Sequence, residues 1–99
     1  EVLSFINEHI DQPLTLESLA QRVSLSSFYF SRVFKRETGY TLREYLLNTR
    51  INAARFYLRT THLSLKEIAY RCGYGSDSTF CTTFKRITGM TPLEYRNQR

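Results

Sequence analysis

The 99 residues include 14 Lys or Arg against nine Asp or Glu, and 41 % are apolar, with only four Gly and two Pro. That composition excludes a disordered polar chain, and no run of about 18 apolar residues is present to cross a bilayer. Two cysteines are too few for a disulfide framework, so a reducing compartment, the cytoplasm, is expected. No secretory apolar segment follows the N-terminus, and a chain that opens on Glu1 reads as a fragment of a longer protein.

In chain order, Val2, Leu3, Ile6 and Ile10 recur at helical spacing and predict a first helix over about residues 2 to 10, stopped by Asp11-Gln12-Pro13. Thr15 caps a short second helix with Leu16, Leu19, Ala20 and Val23 inward. After a turn at Ser24-Leu25-Ser26, a third helix runs from about Ser27 to Thr38. Phe30, Val33 and Phe34 face inward, and Gly39 ends the helix in the left-handed conformation. Thr41 and Glu44 form a capping box for a fourth helix, whose stripe of Leu47, Ile51, Ala54 and Leu58 lasts to about Arg59. At 1.5 Å per residue this rod is roughly 27 Å long.

The second half repeats the grammar. Ser64 and Glu67 form a capping box for a helix with Leu65, Ile68, Ala69 and Cys72 inward. Gly73-Tyr74-Gly75 is the turn. Ser76 or Asp77 caps the next helix, with Phe80, Phe84 and Ile87 in the core and Gly89 as the stop. Thr91, Pro92 and Glu94 then supply N-cap, N1 and N3 of a short last helix. The expected fold is all-α, with seven helices and no strand.

The repetition is literal in places. Residues 34–45 read FKRETGYTLREY and residues 84–95 read FKRITGMTPLEY, identical at eight of twelve positions. Residues 14–20 match residues 63–69 more weakly, so the turn of the second copy is one residue longer. Each copy is a short helix, a tight turn and a longer helix, the helix-turn-helix arrangement whose second helix enters the DNA major groove. The expected organisation is a first helix-turn-helix lobe over 1–40, a linker helix over 41–60 and a second lobe over 61–99. A lobe of about 45 residues is marginal alone, so the linker is expected to serve both. Two recognition helices about 34 Å apart meet successive major grooves on one face of a duplex, and the linker rod plus the width of the lobes matches that span.

On the first recognition helix the core assignment leaves Phe28, Tyr29, Ser31, Arg32, Lys35 and Arg36 outward. Arg32 suits a guanine edge, and Phe28 or Ser31 a thymine methyl or a base edge. Lys35 and Arg36, one turn later, suit phosphates. The second helix presents Asp77, Ser78, Thr79, Cys81, Thr82 and Lys85, where hydroxyls read bases weakly and Asp77 repels phosphate unless it accepts from cytosine or caps the helix. The second helix is therefore expected to discriminate less than the first.

Its surroundings are more positive. Residues 1–49 carry five basic and six acidic groups, residues 50–99 nine and three. Arg50, Arg55, Arg59, Lys85, Arg86, Arg96 and Arg99 are candidates to anchor a polyanion, with Arg50, Lys85 and Arg86 assigned to phosphates beside Lys35 and Arg36. No catalytic Ser/His/Asp set, phosphate loop or paired metal ligands is present, so no enzyme, cofactor or metal is expected. Cys72 occupies the place of Val23 in the repeat and reads as a small buried hydrophobe.

The segment RINAARFYLRTTHLSLKEIAYRCGYGSDSTFCTTFKRITGMTPLEYR, residues 50–96, resembles the signature of the AraC/XylS family of bacterial transcription regulators, and the likeness extends over essentially the whole chain. It rests on Arg50-Ile51, Ala54, Ile68-Ala69, Gly73-Tyr74, Phe80, Phe84-Lys85, Gly89, Thr91-Pro92 and Tyr95-Arg96. The resemblance implies two helix-turn-helix lobes on a linker helix, binding promoter DNA in adjacent major grooves. It also implies an activator of the cytoplasm and nucleoid, since activators of the family commonly touch RNA polymerase, and a sensor or dimerisation domain that usually lies N-terminal to this one, although some members consist of little more than the DNA-binding domain. It puts base contacts at Phe28, Ser31 and Arg32 and at Asp77, Ser78, Thr79, Cys81 and Thr82. Some relatives have arginine where this chain has Thr82. Thr38 and Thr88, ahead of the glycine stops, are expected to be structural.

Overall fold

A computed structural model describes residues 2–98. Its elements are α1 (Val2–Glu8), α2 (Leu16–Arg22), α3 (Ser27–Thr38), α4 (Leu42–Thr60), α5 (Leu65–Arg71), α6 (Asp77–Thr88) and α7 (Pro92–Arg96). No strand occurs among the described residues. The chain forms two compact units, residues 1–49 and 50–99, and the division falls inside α4.

In the first unit Ile6, Leu19, Ala20, Phe30, Phe34 and Leu46 form the buried cluster, with Phe5, Ile10, Leu14, Leu42 and Tyr45 packed against it. The ends of α2 and α3 follow from local chemistry. Thr15 Oγ1 accepts from Ser18 N at 3.0 Å, and the Ser18 hydroxyl receives Thr15 N in return. After α2, Leu25 N reaches back to Ala20 O and Ser24 N to Gln21 O, a Schellman closure that forces Ser24 to φ 60°. At the end of α3, Thr38 Oγ1 donates to Phe34 O at 2.8 Å and accepts from Tyr40 N at 3.1 Å. Gly39 turns the chain at φ 83°.

The second unit repeats these devices. Its buried residues include Ile51, Ala54, Leu58, Ile68, Ala69, Cys72, Phe80 and Phe84. Tyr74 N reaches Ala69 O and Gly73 N reaches Tyr70 O, with Gly73 at φ 88° in the place of Ser24. Thr88 Oγ1 donates to Phe84 O at 2.8 Å and accepts from Met90 N, so both threonines are structural as expected. Tyr45 stands edge-on to Phe34 at 5.5 Å, and Tyr95 edge-on to Phe84 at 5.6 Å.

The fourth helix, expected as a linker, carries repeated elements at both of its ends. Its first turn carries the Thr41–Glu44 capping box, matched by Thr91–Glu94 at α7. Its last turns take the part that α1 plays in the first unit. Arg22 lies over the Phe5 ring of α1, and its repeat counterpart Arg71 lies over the Tyr57 ring of α4. Ile6 and Leu58, the next residues along, are both buried.

Three local expectations change. The first helix ends at Glu8, short of Ile10, and passes into a turn closed by His9 N on Ile6 O. Val23 is 37 % exposed beside an apolar groove shared with Val2, Leu3, Leu25 and Val33, whereas its counterpart Cys72 is 0 % exposed. Ser64 accepts from Glu67 N, but the Glu67 carboxylate turns to Arg71 Nε at 2.9 Å rather than closing a box.

Candidate nucleic-acid interface

Phe30 and Phe34 turn one face of α3 into the first unit's core and leave the opposite face to solvent. Ser26 fixes its start, accepting from Tyr29 N at 3.1 Å. On the outer face Phe28 is 72 % exposed, Tyr29 is exposed, and Ser31, Arg32, Lys35 and Arg36 stand beside them. Phe28 and Arg32 lie one turn apart on the same side, and the Arg32 guanidinium sits 5.6 Å from the Phe28 ring centroid. An exposed cation–π pair contributes only about 0.5–1 kcal/mol, so its main effect is to hold a planar donor fork beside an aromatic plate. The arrangement offers hydrogen bonds and an apolar contact at one place.

The α6 helix is framed in the same way, with Phe80 and Phe84 inward and Ser76 accepting from Thr79 N at 3.2 Å. Its N-cap is Ser76, so Asp77 occupies N1, where the helix dipole favours a carboxylate. Asp77, Ser78 and Thr82 are exposed. The Thr79 hydroxyl accepts from Ser76 Oγ at 3.1 Å and is partly committed to the cap. Cys81 is half-buried, and burial followed by the charge of Asp77 pushes its thiol pKa up. The second reading face is smaller, less charged and flatter than the first.

The cations assigned to phosphates divide. Lys35 and Lys85 are exposed in the last turns of α3 and α6, each close enough to a capping carboxylate, Glu44 or Glu94, to help lower its pKa. The larger cause at both carboxylates is the backbone N–H donated by Thr41 or Thr91. Arg36 pairs with Glu37 at 3.6 Å with both side chains about two-thirds exposed, a pair worth little. Arg86 is exposed. Arg50 is half-buried, and its charge reaches Cys72 and Tyr74, opposing the rise that burial causes there.

Two of the other arginines have structural partners. Arg59 Nη1 donates to Tyr95 Oη at 3.2 Å, and Arg96 donates to the carbonyls of Leu58 and Thr61 at the end of α4. Arg55 donates to Asn52 Oδ1 at 3.2 Å, while Arg99 lies outside the described residues. The bonds of Arg59 and Arg96 each span more than 30 residues, so no local pattern marked either arginine as structural. No group of three potential metal ligands occurs among the described residues, and no helix there is long and apolar enough to cross a membrane.

The family model of a helix-turn-helix domain matches residues 19–98. The regulatory protein SoxS of Escherichia coli K12 is 37 % identical over 98 residues, covering 99 % of this chain and 92 % of SoxS. Among solved structures, the C-terminal domain of AraT, a response regulator from Geobacillus stearothermophilus, superposes with a TM-score of 0.94 at 37 % identity, over 99 % of this chain and 82 % of that one. The DNA-binding domain of AdpA, a global transcriptional factor solved with a target DNA, gives 0.92 at 32 % identity, over 98 % and 87 %.

Proposed function

The chain belongs to the AraC/XylS family of helix-turn-helix transcription regulators, and from that premise we propose that it binds bacterial promoter DNA with α3 and α6 in adjacent major grooves. The observation that carries this is the duplication: a twelve-residue helix of the same framing, Phe at the core, a serine N-cap and a left-handed glycine stop, occurs in both units. A duplex offers a major groove at each turn of about 34 Å, which gives a repeated reader a repeated ligand. AdpA's domain, of the same fold, was solved with a target DNA.

Phe28, Ser31 and Arg32 read base edges in the first groove, with Asp77, Ser78, Thr79, Cys81 and Thr82 a weaker set in the second. Lys35, Arg36, Arg50, Lys85 and Arg86 hold phosphates. The protein acts in the cytoplasm at the nucleoid as an activator that contacts RNA polymerase. AraT's matching domain is the C-terminal part of a response regulator, and this domain likewise serves a sensor or dimerisation domain N-terminal to it.

Selection of bound duplexes from a random pool, followed by insertion of about five base pairs between the two groove sites, half a helical turn, tests the reading. Insertion abolishes joint engagement and leaves single-lobe affinity. Undiminished affinity, or a pool that yields no preferred duplex, contradicts it.

A further inference from the structure

The two units differ where the turn of each helix-turn-helix meets the core. Leu25 N and Tyr74 N occupy the same seat, bonded to Ala20 O and Ala69 O respectively. In the second unit the Tyr74 ring lies tilted against Phe80 at 5.6 Å, and Phe80 in turn meets Phe84 at 5.8 Å. In the first unit Phe30 meets Phe34 at the same 5.8 Å, but a leucine stands in place of the third ring. There the first unit has a groove of about 380 Å³, walled by Val2, Leu3, Val23, Leu25, Phe30 and Val33, with Glu37 as the charged residue of its lining. We propose that this groove binds a small arylalkylammonium ion, an aromatic ring on a short chain that ends in a cationic amine. The inference goes beyond the DNA-binding reading and does not depend on it.

The second unit supplies the template for the ring. With Tyr74 against Phe80, Cys72 is fully buried, whereas Val23 in the equivalent place stays exposed, as does Leu3 beside the groove. A free aromatic ring seated on Phe30 covers that apolar surface and gains a tilted ring contact of the kind the second unit makes internally. The charge preference comes from Glu37, which stands where the second unit has Ile87. Its pair with Arg36 is 3.6 Å long with both side chains about two-thirds exposed, so the carboxylate is open to a second cation. An anion is repelled there, and a neutral ligand leaves the carboxylate to water. The volume lies within the range of small-molecule sites, about 300–1,000 Å³. Val33 and Glu37 each follow Phe28 and Arg32 by five positions, about 140° around α3 at 3.6 residues per turn. The groove therefore faces away from the residues assigned to DNA, and ligand and duplex can be held at once.

The test is a titration of the isotope-labelled protein with 2-phenylethylamine at neutral pH, followed by NMR. Saturable shifts are expected at the methyl groups of Val23, Leu25 and Val33, with a dissociation constant of about 1 mM for so small a ligand. The neutral isostere 2-phenylethanol binds about three-fold more weakly, as does the amine to Glu37→Gln, and 3-phenylpropionate gives no saturable shift. Leu25→Tyr, which supplies the ring from within as the second unit does, removes binding of the amine. Glu37→Gln, at an exposed position, and the comparison of the three ligands on the wild-type protein decide the matter should Leu25→Tyr fail to fold. No saturable shift, shifts spread over the whole surface, equal binding of amine and alcohol, or undiminished binding to a folded Leu25→Tyr overturns the proposal. The titration contains no DNA, so each of those outcomes leaves the promoter-binding reading standing, and loss of duplex preference leaves the groove standing.

Discussion

Arg96 donates from Nη2 to the backbone carbonyl of Thr61 at 3.2 Å, while its Nε points at the carbonyl of Leu58. These carbonyls lie at the C-terminal end of α4, where the helix leaves acceptors unsatisfied and a cation is favoured. The arginine is thus a cap supplied from α7. Arg96→Ala is expected to cost about 1–2 kcal/mol of stability in denaturant titration. Because the guanidinium is committed to protein, the slope of DNA affinity against salt concentration stays unchanged. A slope that falls by about one would make Arg96 a phosphate contact instead.

The turns between α2 and α3 and between α5 and α6 need a left-handed residue at the same place, filled by Ser24 at φ 60° and by Gly73 at φ 88°. An L-residue pays about 1–2 kcal/mol there, partly offset by the extra freedom that glycine loses on folding. Ser24→Gly should therefore stabilise the first unit by about 0.5–1 kcal/mol, and Gly73→Ala should destabilise the second by about 1 kcal/mol. Chemical denaturation of the two variants reads both signs.

How much of this was legible in the sequence depends on the range of the interaction. Serine and threonine caps, glycine stops and apolar periodicity act within a few residues, and Thr15, Thr41, Gly39, Gly89 and the Thr91–Glu94 box stand where the pattern placed them. The counterpart roles of α1 and the end of α4 were hidden because Phe5-Ile6 and Tyr57-Leu58 share side-chain character but not identity. Val23 and Cys72 occupy equivalent sites, yet their exposure is set by what covers them, which repeat alignment does not encode. The outward face of α3 followed from its core residues, while the closeness of Arg32 to Phe28 needed side-chain conformations.

The Tyr74 ring lies tilted against Phe80 at 5.6 Å, and its hydroxyl is buried with no hydrogen-bond partner among the described residues. A buried hydroxyl that exchanges water for nothing is destabilising. Tyr74→Phe keeps the ring and removes the orphan oxygen, so stability is expected to rise by about 1 kcal/mol. A loss of similar size would show that the hydroxyl is bonded in solution.

Cys72 is fully buried, and burial pushes its thiol up to about 11, with Arg50 opposing the rise. A thiol ionises near 9 or slightly below when exposed, so between about pH 9 and 11 the unfolded chain gives up this proton while the folded chain keeps it. The contribution is complete below that window and is lost as pH rises through it. The pH dependence of stability over that window should be shallower in Cys72→Ala than in the wild-type protein. At neutral pH a thiol reagent should label half-buried Cys81 well before Cys72; equal rates would mean that the second unit opens readily.

The central claim is that the outward face of α3, through Arg32, reads sequence. Anisotropy titrations of wild-type protein and Arg32→Ala on a selected duplex and on a scrambled duplex of the same composition test it most directly. The prediction is a loss of about 1–3 kcal/mol on the selected duplex with a much smaller change on the scrambled one, narrowing the margin between them. Equal losses on both duplexes, or none on either, would contradict it.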